Sequence, residues 1–182
     1  VPETIIGMTV LVVLVLELLL RPERRGVLGW VSLFGIICAF IAIDDAFGIR
    51  AMGFFGMVSV DDFSLFLEAV ILLGAALTIF ISSLYSQTGG YALLLLISLL
   101  GMMLMVKASD FVVIFLGLET LSIPLYILAG IMKTRERPLE AAFKYFLLGS
   151  FSSAFLLFGI ALLYSVLGTT NLFLVARHFT MR

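Results

Sequence analysis

Six apolar runs, each close to the length that crosses a bilayer, follow one another with short polar breaks between most of them. A hydrocarbon core takes about 20 residues of helix. Lipid offers no partner for backbone N–H and C=O groups, so such runs pair their own backbone as helices. They cover about residues 2–20, 27–43, 63–85, 91–107, 110–132 and 139–167. The expected fold is an all-α polytopic membrane protein, residues 1–182 forming one membrane domain of about six transmembrane helices. Composition agrees, with 63% apolar and 13% charged residues, against about half and about a quarter in soluble domains. A net charge of −1 offers no basic face to nucleic acid. Cys38 is the one cysteine and lies in an apolar run, too few for an internal disulfide or a metal cage. No motif is built for a metal, a nucleotide or haem, so any redox chemistry belongs to partners.

Charge at the breaks sets the expected orientation. The first helix has no basic region before it and carries Arg21, Arg24 and Arg25 after it, the reverse of a cleavable signal peptide. It is therefore retained, with its N-terminus outside. The inside loops then hold Arg21, Arg24, Arg25, Lys133, Arg135 and Arg137, against Arg50, Lys107, Arg177 and Arg182 outside, with the inside charges clustered at helix ends. Asp61 and Asp62 precede the third helix, where an acid acts as an N-cap, with a cation site as the lesser reading. Gly74, Thr78 and Ser82 make a small-residue stripe suited to close helix packing, as do Gly149 and Ser153. Glu68, about a turn and a half into the third helix, either reaches the interface or faces a neighbouring helix, with a proton role as the lesser reading. Glu17 stands one turn before Arg21, the spacing of an i,i+4 ion pair. His178 lies in a tail expected to fray.

One carboxylate stands apart. Glu119 falls near the middle of the fifth apolar run, and an ionisable group at that depth is a functional candidate by default. Phe115, Glu119, Ser122 and Tyr126 share one helical face, so a hydroxyl and a phenol flank the acid. Pro124 has no backbone N–H and leaves the carbonyl of Thr120 without its usual partner, a place for water to gather. Lys144 sits inside the sixth run. It lies about 9 Å from the inner boundary and Glu119 about 20 Å, at about 1.5 Å per residue, so a water-bridged link is easier than a direct pair. Lys144 either faces inward or snorkels to the headgroups. Glu119 serves either a proton relay or an interhelical ion pair. Groups taken out of water lose their preference for the charged form, which lets an acid and a base exchange protons with internal water.

The segments MMLMVKASDFVVIFLGLETLSIPLYILAG and RPLEAAFKYFLLGSFSSAFLLFGIALLYSVLGTTN, spanning Gly101 to Asn171, carry the most specific pattern. They resemble the antiporter-like N subunit, called ND2 in mitochondria, of bacterial proton-translocating NADH:quinone oxidoreductase, respiratory complex I. The first hundred residues fit in hydropathy and topology with weaker motifs. The resemblance implies the start of an antiporter-like inverted-repeat fold in the bacterial inner membrane. It matches Glu119 to the family's fifth-helix glutamate and Lys144 to its sixth-helix lysine, members of a charged chain along the midplane. NADH, FMN, iron–sulfur clusters and quinone are then expected in partner subunits, with no cofactor or metal held here. Those subunits are longer and continue through a broken seventh helix whose lysine partners the fifth-helix glutamate, so these residues are expected to be a portion of one. The expected function is proton translocation coupled to quinone reduction through Glu119 and Lys144, with Ser122 and Tyr126 as helpers. An Mrp-type cation/proton antiporter subunit shares that fold and acid; a non-pumping scaffold subunit is the third reading.

Overall fold

The apolar runs fold as helices that pack largely in chain order. The computed structural model describes residues 1–21, 25–85, 90–131 and 136–180, so the expectations for Arg24, Lys133, Arg135 and Arg182 fall outside the described residues. The helices are α1 (Pro2–Leu19), α2 (Val27–Asp44), α3 (Asp62–Tyr85), α4 (Gly90–Val106), α5 (Phe111–Ala129), α6 (Glu136–Leu167) and α7 (Leu172–Thr180). Five of them are long and apolar enough to cross a membrane, and α4, at 17 residues, is just shorter.

Helices α1 to α4 close into a ring, each packed on the next and α4 back on α1. The buried core lies inside this ring and includes Ile6, Val13, Leu28, Ile36, Leu65, Leu72, Leu96, Leu99 and Met103. Helix α5 packs on α4, and α6 packs on α5. Contact between α4 and α5 is close because Gly101 and Gly117 face each other. A Cβ on Gly101 would fall on the backbone nitrogen of Leu121 and within 2.7 Å of the carbonyl of Gly117. Close backbone approach of this kind is how helices associate where lipid supplies no hydrophobic drive.

Three elements depart from the sequence expectation. The long connection after α2 adds a small hairpin to the all-α fold. Strands β1 (Ala51–Gly53) and β2 (Val58–Val60) pair antiparallel around a 3-10 turn at Phe54–Gly56. The tail is helical as far as Thr180: Asn171 accepts the N–H of Phe173 at 3.0 Å and starts α7, whose last turn carries His178, exposed. Gly74 and Thr78 are exposed, with open space around Gly74, so among the described residues no helix packs on these two positions of the stripe. The second stripe does pack, since the phenol of Tyr126 lies where a Gly149 Cβ would be and Ser153 is buried.

The charged ends sort likewise. Asp61 accepts the N–H of Ser64 at 2.7 Å while Ser64 Oγ accepts the N–H of Asp61 at 3.1 Å, a reciprocal cap at the start of α3. Asp62 instead accepts the N–H of Gly48 at 2.9 Å, tying down the loop after α2. The expected Glu17–Arg21 pair is absent: Arg21 lies beyond the end of α1, exposed, and Glu17 points at the start of α4, its Oε1 3.6 Å from the Cβ position of Gly90.

Candidate functional site

Helix α5 is set by its two ends and a break. Asp110 is its N-cap and accepts the N–H of Val112 at 2.8 Å; Gly130 ends it. Eight residues inside, the half-buried Glu119 has an oxygen, Oε1, shielded from solvent and without a hydrogen-bond partner. Pro124 lies buried within the helix and supplies no N–H to the carbonyl of Thr120. The Thr120 hydroxyl does not fill that gap, for it donates back to Leu116 O at 2.7 Å. Helix α4 reaches the break instead, where Ser98 Oγ donates to the neighbouring carbonyl of Leu121 at 3.2 Å. An acid oxygen, an orphan carbonyl and the half-buried Ser122 hydroxyl thus share one turn of α5, with an α4 hydroxyl beside it.

Tyr126 and Lys144 belong to the α5–α6 contact. The Tyr126 ring is 9% exposed and meets Tyr145 edge-on, centroids 4.8 Å apart at 88°, and Phe146 at 5.9 Å and 78°. These aromatic contacts hold α6 on α5 with the phenol against Gly149. Lys144 stands on the other side of the contact, its side chain 69% exposed and ion-paired to Glu140 one turn earlier. Glu119 and Lys144 are therefore on neighbouring helices without touching.

A second charged group joins Glu68, for which a proton role was the lesser expectation, to Lys107, which the sequence did not single out as a site. Lys107, just past α4, is 3% exposed and bonds a carboxylate oxygen of Glu3 on α1; it also lies 2.8 Å from Glu68 Oε2 on α3. Glu68 is 0% exposed. Lys107 counted as a loop charge, and Glu68 as an acid with two possible orientations. The helical register carries the missing signal. Leu65, Glu68, Leu72 and Ile79 line the buried face of α3, while Leu96, Leu99, Met103 and Lys107 repeat at three- and four-residue steps along α4 and its end. An acid and a base in core positions of adjacent helices are placed to meet.

Residues 108–181 match the transmembrane family of NADH:quinone oxidoreductases and Mrp antiporters. NADH-quinone oxidoreductase subunit N of Trichlorobacter lovleyi is 39% identical over 96% of this chain and 37% of its own length. A chain of respiratory complex I from Thermus thermophilus, solved with bound aureothin, matches with a TM-score of 0.81 at 32% identity, over 94% of this chain and 38% of that one. The chain belongs to the NADH:quinone oxidoreductase/Mrp antiporter family. Within that family its relatives include the F420H2 dehydrogenase subunit N of Methanosarcina mazei, 32% identical over 97% of this chain and 38% of that protein. The fold, though not the sequence, extends to an archaeal membrane-bound sulfane sulfur reductase, with a TM-score of 0.67 at 22% identity over 93% of this chain and 37% of that one. This is a membrane protein with an antiporter-like fold, and the chain spans under two fifths of the length of the relatives it matches.

Proposed function

We propose that this chain is part of a subunit that moves protons across the bacterial inner membrane within an NADH:quinone oxidoreductase, with Glu119 as the group that carries the proton. The observation that supports this most directly is the unpartnered Glu119 oxygen beside the Pro124 break. That oxygen has neither a protein donor nor bulk water, so an internal water or a proton would give it the partner that it lacks. The orphan carbonyl of Thr120 and the Ser122 hydroxyl give such a water its further partners. Tyr126 keeps α5 and α6 together at this level. Lys144 lies on the open face of α6, available to a neighbouring element rather than to Glu119 directly. A charge brought near either group changes which form is favoured, and moving that charge loads or unloads the proton.

In this reading, NADH, flavin, iron–sulfur clusters and quinone are handled by other subunits. The partners are the membrane subunits on either side and the lipid. An Mrp-type antiporter remains the second reading because the matching family covers both classes. The test is Glu119→Gln in the full-length subunit of the assembled complex. NADH-driven proton uptake by inverted vesicles is expected to fall at least tenfold, with the complex present at normal abundance. Unchanged uptake would remove Glu119 from the path. Persistence of sodium-dependent proton exchange in membranes lacking the dehydrogenase subunits would favour the antiporter reading.

A further inference from the structure

The Glu3–Lys107–Glu68 group holds two carboxylates against one ammonium. With all three ionised it carries one net negative charge, at the mouth of a core otherwise lined by leucine, isoleucine and methionine. Glu68 lies six residues into α3, about 9 Å along the axis. It is 0% exposed, and its Oε1 has no hydrogen-bond partner. Lys107 approaches the other oxygen at 2.8 Å, yet neither Glu68 oxygen accepts a well-aligned hydrogen bond. The ammonium is engaged instead by Glu3, whose side chain is 31% exposed. Exposure therefore falls in steps from Glu3 through Lys107 to Glu68. Helix α2, which also packs on α3, buries no titratable side chain, and its Asp44 is exposed.

A cap of hydrogen bonds covers this end of the ring. Ser59 N–H donates to Lys107 O at 2.8 Å, and Ser109 Oγ donates to Ser59 Oγ at 2.7 Å. Thr170 Oγ1 donates to Asp110 Oδ2 at 2.7 Å, and Asn171 Nδ2 donates to Gly56 O at 3.0 Å. The hairpin, the α4–α5 link and the start of α7 are thus stitched together. Lys107 is fixed by its own backbone to that cap while its ammonium reaches into the ring.

We propose that Glu68 is a second proton-binding site, separate from Glu119 and loaded from the hairpin end through Glu3 and Lys107. Two carboxylates, one of them fully buried, that share one cation cannot both stay ionised cheaply, and one proton brings the group to neutrality. Loading is a transfer of that proton inward. The Lys107 N–H bond facing Glu68 breaks as the Glu68 O–H bond forms. Neutral Lys107 then takes the proton that Glu3 has gained from hydronium at the surface, which leaves Glu3 ionised again. The triad ends with one proton more and one negative charge fewer. Nothing in this step depends on the translocation assigned to Glu119.

The test is infrared difference spectroscopy on the purified full-length complex across a pH jump. A protonated-carboxyl band is expected in the parent, missing in Glu68→Gln and retained in Glu119→Gln, which separates this site from the proposed function. Glu68→Asp keeps an acid and is expected to keep the band at a shifted frequency, should Glu68→Gln fail to assemble. Glu3→Gln is expected to slow hydrogen–deuterium exchange of the band several-fold. A Glu68→Gln spectrum identical to the parent's overturns the site, because Glu68 is then permanently ionised. Unaltered exchange in Glu3→Gln overturns the route.

Discussion

The α1–α4 ring and the α5–α6 pair are both made of apolar helices, yet they treat charge in opposite ways. The ring buries one acid, Glu68, and draws a base, Lys107, from its own end to lie between it and the part-exposed Glu3. The pair leaves a Glu119 oxygen without a partner and turns Lys144 outward. The difference follows from closure. Four helices in a ring give an inward side chain neighbours on three elements, so an acid on α3 meets a base from the end of α4 and an acid on α1. Two helices in a row have one mutual seam, and here it is filled by Tyr126, Tyr145 and Phe146 around Gly149. Phe143, Leu148, Phe151 and Phe155 remain exposed along α6. Polar groups off that seam need further elements to complete them, as expected of a chain spanning under two fifths of its relatives.

The largest contrast should come from removing the two lysines. Lys107→Met strips the cation from the buried Glu68 and the part-exposed Glu3, and breaking a buried ion pair in this way costs about 3–5 kcal/mol. The full-length subunit in detergent is expected to lose most of its folded yield and to melt well below the parent. Lys107→Met combined with Glu68→Gln should recover much of that loss, since one uncompensated charge is gone. Lys144→Met, at an exposed pair, is worth at most about 1 kcal/mol and should leave the melting curve nearly unchanged. Equal losses from the two lysines would erase the distinction between the closed ring and the open pair.

The join between the two regions comes next. Gly101→Ala puts a methyl onto the α5 backbone at Leu121 and Gly117, where no side chain can swing aside. Overpacking of this sort costs about 1–3 kcal/mol. It should part α4 from α5 and expose the region of Ser98 and Glu119 to trypsin-independent probes such as a water-soluble carbodiimide, read as faster labelling of Glu119. Labelling at the parent rate would mean that α5 is held by something other than this crossing.

The six longer helices were legible because each depends on one variable, the length of an apolar run, whereas the short α7 was not. The buried triad was not, because it needs the rotation of three helices at once. Hydropathy places Lys107 in a loop, whereas the ring places its ammonium inside; only the three- and four-residue steps from Leu96 to Lys107 carry that information. The hairpin was hidden for a different reason. Its strands are three residues each, and their pairing is completed by Val58 bridging to Ala108, fifty residues away. Glu119 stood out because its depth is read along a single helix. Its separation from Lys144 depends on the rotation of α6, which no single-helix pattern fixes.

The smallest effect belongs to the outward face of the ring. Spacing alone suggested that Gly74, Thr78 and Ser82 receive another helix, but α3 shows Gly74 to open space, with Thr78 Oγ1 donating back to Gly74 O at 2.8 Å. Glycine inside a helix costs about 0.5–1 kcal/mol relative to alanine. Gly74→Ala should therefore raise the melting temperature of the isolated full-length subunit slightly, where Gly101→Ala lowers it. The same substitution then reports on what lies against α3 in the whole complex. A complex that forms normally means that the stripe faces lipid or a partner with room for a methyl. A complex that loses its neighbour while the isolated subunit gains stability means that the ring is closed on its inside and docked by its outside, and the small residues mark that contact.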